Sequence, residues 1–78
     1  MPTALILIST EPAAMVEALK EVKAVEGVEE AEMVHGVYDI VARVNVETMD
    51  KLKHIITYKI IGINKVMSTQ TLLGVRPE

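Results

Sequence analysis

Five consecutive apolar residues, Ala4-Leu5-Ile6-Leu7-Ile8, constrain this chain more than any other feature. Side chains alternate between the two faces of a strand, so a run with no polar interruption is a strand covered on both faces. The predicted strand spans Thr3–Ser9. The chain has 78 residues, enough for one domain and no more. A domain of that size buries only about 60% of the surface its unfolded chain exposes. Half of its residues are nevertheless hydrophobic, and only Tyr38 and Tyr58 are aromatic. An apolar strand and a small interior together predict surplus apolar surface, which self-association would cover.

The remaining elements follow from periodicity. Thr10-Glu11-Pro12 reads as a helix start, with Thr10 as cap and proline tolerated in the first turn. The helix is expected to run to about Val25 with Met15, Leu19 and Val22 on one stripe. Pro12, Val16 and Ala18 lie beside that stripe, and Glu17 and Lys20 form an i,i+3 pair. Gly27 ends the helix. Val28–His35 reads as a second strand, with Ala31 and Met33 on one face and Glu30, Glu32 and Val34 on the other. Gly36 breaks it, and Tyr38–Val46 forms a third strand. Only a glycine-centred turn separates these two strands, so they pair as an antiparallel hairpin. A second helix begins near Glu47 or Thr48 and stops before Gly62, striped by Met49, Leu52, Ile56 and Ile60. Ile63–Leu73 reads as the last strand, and residues 74–78 as a loose or edge-extending tail.

The order is βαββαβ. Right-handed crossovers put both helices on one face of a four-stranded antiparallel sheet, giving a ferredoxin-like α+β sandwich. Its other face is bare in a single copy. Ile6 and Ile8 of the first strand and Val41 of the third are expected to line a dimer interface on that bare face.

Composition excludes several chemistries. With no cysteine, disulfides, thiolate nucleophiles and zinc-thiolate sites are ruled out. The apolar run near the N-terminus is too short for a signal peptide or a membrane span, so a cytoplasmic protein is expected. Net charge is −3 with scattered lysines and arginines, which argues against direct binding to DNA. The acidic group Glu26, Glu29, Glu30 and Glu32 reads as a solvated strand edge that discourages wrong pairing. His35 and His54 show no ligand spacing, and no phosphate loop or nucleophile elbow occurs, so neither a metal nor a cofactor is expected.

One segment carries more information. In His35-Gly36-Val37-Tyr38-Asp39 a glycine permits a positive φ or close backbone approach, and a carboxylate follows at a strand start. That carboxylate can hold an ammonium group or simply cap the turn. Thr69 and Thr71 place two hydroxyls on one face of the last strand, a pattern also common on solvated strands.

Gly36-x-Tyr38-Asp39, the alternating residues to Val44, a helix, and Val66-x-x-Thr69-x-Thr71 together resemble the effector-binding (RAM) domain of the Lrp/AsnC regulator family. The resemblance runs from the first strand to Leu73. It implies a dimer joined sheet against sheet (the dimeric α+β barrel type), rings such as an octamer, and an amino-acid effector bound where dimers meet. It also implies a binding site of Gly36, Val37, Tyr38 and Asp39, with Thr69 and Thr71 as weaker members. Full-length members carry a helix-turn-helix. This chain begins at the sheet, so residues 1–78 are expected to form one stand-alone RAM-like domain. Such a domain would sense an amino acid or mix with full-length Lrp/AsnC regulators, and it would not be an enzyme. The same fold serves cofactor-free monooxygenases and isomerases, whose acid–base pair could only be His35 and Asp39. An ACT-type module is a further reading, but it joins sheets edge to edge, and the apolar bare face argues against it.

Overall fold

The structure is a computed structural model, and it describes residues 3–73. The expected tail at 74–78 lies outside the described residues. Strand β1 spans Thr3–Thr10, helix α1 Met15–Lys23, β2 Val28–Met33, β3 Ile40–Asn45, α2 Met49–His54 and β4 Val66–Leu73. The strands form one antiparallel sheet in the order β2-β3-β1-β4. The expected ferredoxin-like arrangement is therefore present, with β1 in the interior and β2 and β4 at the edges.

Register decides which face of β1 is inside. Ile6 lies opposite Ala42 of β3 and Thr71 of β4, and Ile8 opposite Ile40 and Thr69. Ala4, Ile6, Ile8, Ile40, Ala42 and Val44 are all buried beneath the helices. Ala18 and Val22 of α1 close this layer from above, joined by Leu52 and by Ile60. Small residues at Ala18, Ala31 and Ala42 let the layers approach where larger side chains would hold them apart.

Ile6 and Ile8 therefore cannot line a dimer interface. Each is 0% exposed within one chain, spent on the chain's own core. The bare face of β1 is made by Leu5 and Leu7, which lie opposite Leu72 and Gln70 of β4 and Arg43 and Val41 of β3. Val41 does belong to this face. Leu5 is 42% and Leu72 47% exposed, so an apolar centre remains uncovered.

The helices depart from expectation at their ends. Thr10 is the last residue of β1 and caps nothing; Pro12–Ala14 form a short 3-10 turn before α1, with no side-chain cap. Val16 points to solvent. Glu17 pairs across the fold with Lys65, not with Lys20. The second helix starts within the expected range, and Thr48 caps it: its Oγ1 accepts from the Lys51 N–H at 3.1 Å. After His54 the helix widens into π-helical turns over Ile55–Ile60, and the Ile61 N–H donates to the Ile56 carbonyl at 3.1 Å. On an ideal α-helix Leu52 and Ile60 would sit about 80° apart. The wider turns bring Ile60 back over the sheet, and both residues are buried.

Candidate functional site

The hairpin between β2 and β3 is longer than a tight turn. Residues 34–39 form its loop, closed by the Val34 N–H donating to the Asp39 carbonyl at 2.9 Å. Asp39 holds this loop to the end of β1. Its N–H donates to the Ile8 carbonyl at 2.9 Å, and its Oδ2 accepts from the Thr10 N–H at 2.9 Å. β3 begins only at Ile40, so here the carboxylate takes the place of the next rung of the β1–β3 ladder. Asp39 is thus neither a free anion nor a cap of its own turn. It is a half-buried carboxylate held in position by backbone from another strand.

Gly36 has φ +147°, in the region where side chains are strained, and a Cβ built there would meet nothing within 4 Å. The glycine therefore serves the loop's conformation and leaves its Cα facing open space. Val37 is 88% exposed at the loop tip, while Tyr38 is half-buried. His35 is exposed on the same loop and Asp39 is committed to Thr10, so this pair is not gathered in the cleft between sheet and helices that the enzymatic alternative requires.

The sheet brings one of the two threonines to the same end. Thr69 lies directly across β1 from Ile40, with Ile8 between them, about 10 Å away at two strand spacings. Thr71, opposite Ile6, is two residues farther along. Both threonines lie on the helix-covered side and are half-buried at the edge strand. Sequence reasoning missed Thr10 as part of this site, having read it as a helix cap. The signal that could have found it is its place as the polar residue closing the buried parity Ala4, Ile6, Ile8, Thr10.

Two hollows lie elsewhere. One, of about 550 Å³, is lined on the bare face by Leu5, Val41 and Arg43 and extends along β2. Arg43 there meets Glu30 at 3.1 Å and Glu29 at 3.7 Å. A bulge between Val28 and Glu30 lets two successive glutamates reach one arginine. The other hollow, of about 840 Å³, opens between the end of α1 and α2 around Gly27, His54 and Ile55. The hairpin loop lines neither of these two hollows.

Among titrating groups, the salt bridge from Lys65 holds the Glu17 carboxyl below its ordinary range and raises Lys65 in turn. Both are surface groups far from the loop in sequence. Among the described residues no three His, Asp or Glu side chains gather as a metal site, and no helix is long and apolar enough to cross a membrane.

Comparison with known proteins bears on this geometry. The family model described as the Lrp/AsnC ligand binding domain matches residues 3–76. A crystal structure of a Thermus thermophilus protein superposes with a TM-score of 0.93 at 29% identity, covering 100% of this chain and 98% of that one. E. coli AsnC superposes at 0.89 with 28% identity, covering 97% of this chain and 52% of AsnC, so the likeness spans about half of that regulator. A transcriptional regulator of Neisseria meningitidis, solved as a complex with L-Met, shares the fold at 0.85 with 17% identity, over 96% of this chain and 50% of that one. The search of the curated proteins returned no match.

Proposed function

Because this chain belongs to the Lrp/AsnC ligand-binding domain family, we propose that it senses a small amino-acid effector at the Gly36–Asp39 loop. The observation that carries the reading is Asp39. A carboxylate fixed by the Thr10 and Ile8 backbone sits three residues from a glycine whose Cα faces open space. Such a carboxylate is positioned in advance for an ammonium group, and the glycine leaves room for backbone contact. Gly36 and Asp39 are the centre of the site. Tyr38 contributes wall and Val37 the exposed tip, with Thr69 nearer than Thr71.

A second wall for the loop comes from another copy. Two chains stack by their bare sheet faces through Leu5, Leu7, Val41 and Leu72, and dimers then meet at the hairpin loops in a larger ring such as an octamer. Apolar surface at the centre of the bare face supports the first step. The domain works in the cytoplasm without gripping DNA itself, alone or mixed with full-length regulators of the family.

Calorimetry with the common L-amino acids, L-methionine among them, tests the site. An effector at a hundred times its dissociation constant stabilises the fold by about 2.7 kcal/mol, so a thermal-shift screen finds it first. Asp39→Asn keeps an oxygen for the Thr10 N–H and removes the charge. Charged hydrogen bonds contribute about 1.5–3 kcal/mol, so binding weakens roughly ten- to a hundredfold. Unchanged affinity in Asp39→Asn would mean that Asp39 is only a strut between β1 and the loop.

A further inference from the structure

Thr10 is the only buried polar side chain among the described residues, at 3% exposure, and its Oγ1 has no hydrogen-bond partner. Buried hydroxyls are nearly always paired, because an unpaired one has given up water for nothing. Valine has the same shape, so packing gives no reason for a threonine here. Yet the backbone N–H of this same residue holds the Asp39 carboxylate. The orphan hydroxyl is only three bonds from the amide that grips the one anion of the proposed site. The pairing of β1 with β4 also slips between Ser9 and Thr10, which frees this point of the strand from strict ladder geometry.

Resting on the effector site proposed above, we infer that Thr10 is its positioning residue, and that its hydroxyl finds its partner in Asp39 when an ammonium-bearing effector binds. An ammonium bound at one carboxylate oxygen of Asp39 fixes the other against Thr10. The Thr10 hydroxyl then donates to the carboxylate beside the N–H, so that one residue grips Asp39 twice. The free protein carries an unpaired hydroxyl, and binding relieves it. Occupancy of the loop is thereby linked to the end of β1, where the Glu11 N–H ties the chain to the Lys65 carbonyl at 3.2 Å ahead of α1.

The test compares Thr10→Val, Thr10→Ser and Asp39→Asn in two measurements. One is melting without ligand, and the other is calorimetry with whichever common L-amino acid stabilises the wild type. Removing an orphan hydroxyl raises the melting temperature of Thr10→Val by roughly 5 °C. The same variant binds the amino acid roughly ten- to a hundredfold more weakly, the worth of one hydrogen bond to a charged group. Thr10→Ser restores wild-type affinity. A gain in stability with a loss of affinity is what a merely structural threonine would not show. If Thr10→Val binds as wild type while Asp39→Asn is weakened, the site stands and the role of Thr10 falls. If Thr10→Val melts lower and Thr10→Ser restores it, the hydroxyl is already bonded in the free protein and the inference is overturned. If Asp39→Asn binds as wild type, or no amino acid binds, the site itself is refuted and this role with it.

Discussion

Gly27 and Gly36 both adopt positive φ, at +99° and +147°, but their surroundings differ, and alanine at each should separate two kinds of strain. A Cβ at Gly27 would lie 2.8 Å from Ile55 Cδ1 and 3.0 Å from Val46 Cγ1. At Gly36 it would meet nothing within 4 Å. A side chain held in a sparsely populated backbone region costs about 1–3 kcal/mol at either site. Overpacking adds about 1–3 kcal/mol at Gly27 alone. A chain of 78 residues has roughly 4–12 kcal/mol of stability in all, so Gly27→Ala removes a large part of it. One kcal/mol shifts melting by about 4–8 °C in a domain this small, so Gly27→Ala should melt roughly 5–20 °C below Gly36→Ala. The assay is thermal unfolding by circular dichroism at matched protein concentration, since assembly makes melting concentration-dependent. Ile55→Val removes the nearest atom, and in combination with Gly27→Ala it should recover much of the packing part. Equal melting of the two alanine variants would refute the claim that close approach, and not backbone conformation alone, requires glycine at 27.

Two further outcomes are expected. Val41→Glu puts a charge on the apolar centre of the bare sheet face, and sedimentation should show a looser assembly than wild type; a wild-type protein that sediments as a monomer at micromolar concentration would refute the stacked dimer. The Glu17–Lys65 pair supports the fold between two limits. Glu17 titrates below its ordinary value, so its contribution is present above that value and is lost as pH falls through the lowered one. Lys65 titrates above its ordinary value, so its share is present below that value and is lost as pH rises through the raised one. Both groups are solvated and the effect on stability is small. The sharper readout is the Glu17 carboxyl titration by NMR, which Lys65→Met should return to the usual glutamate range; an unmoved midpoint would show that Lys65 is not its partner.

Element order was legible from the residues alone. Alternation over Tyr38–Val46 put Tyr38, Ile40, Ala42, Val44 and Val46 on one side of the expected strand; the last four are buried, while Tyr38, ahead of β3, is half-buried. The start of α2 was expected near Glu47 or Thr48, and Thr48 is its cap, its hydroxyl accepting from an amide the helix leaves open. Local spacing carries such information, because period and capping depend only on neighbours in sequence. The motif from Gly36 to Asp39 was equally visible, but the grip of Asp39 on Thr10, 29 residues away, is a matter of strand pairing. β1 shows the limit most clearly. Both of its parities are apolar, so the sequence could not say whether Ile6 and Ile8 or Leu5 and Leu7 would be covered by the helices. Register against β3 and β4 set Ile6 opposite Ala42 and Leu7 opposite Val41, and so assigned one pair to the core and the other to the open face. A shift of one residue would exchange the two faces, and only the packing of α1 and α2 on the completed sheet selects between them.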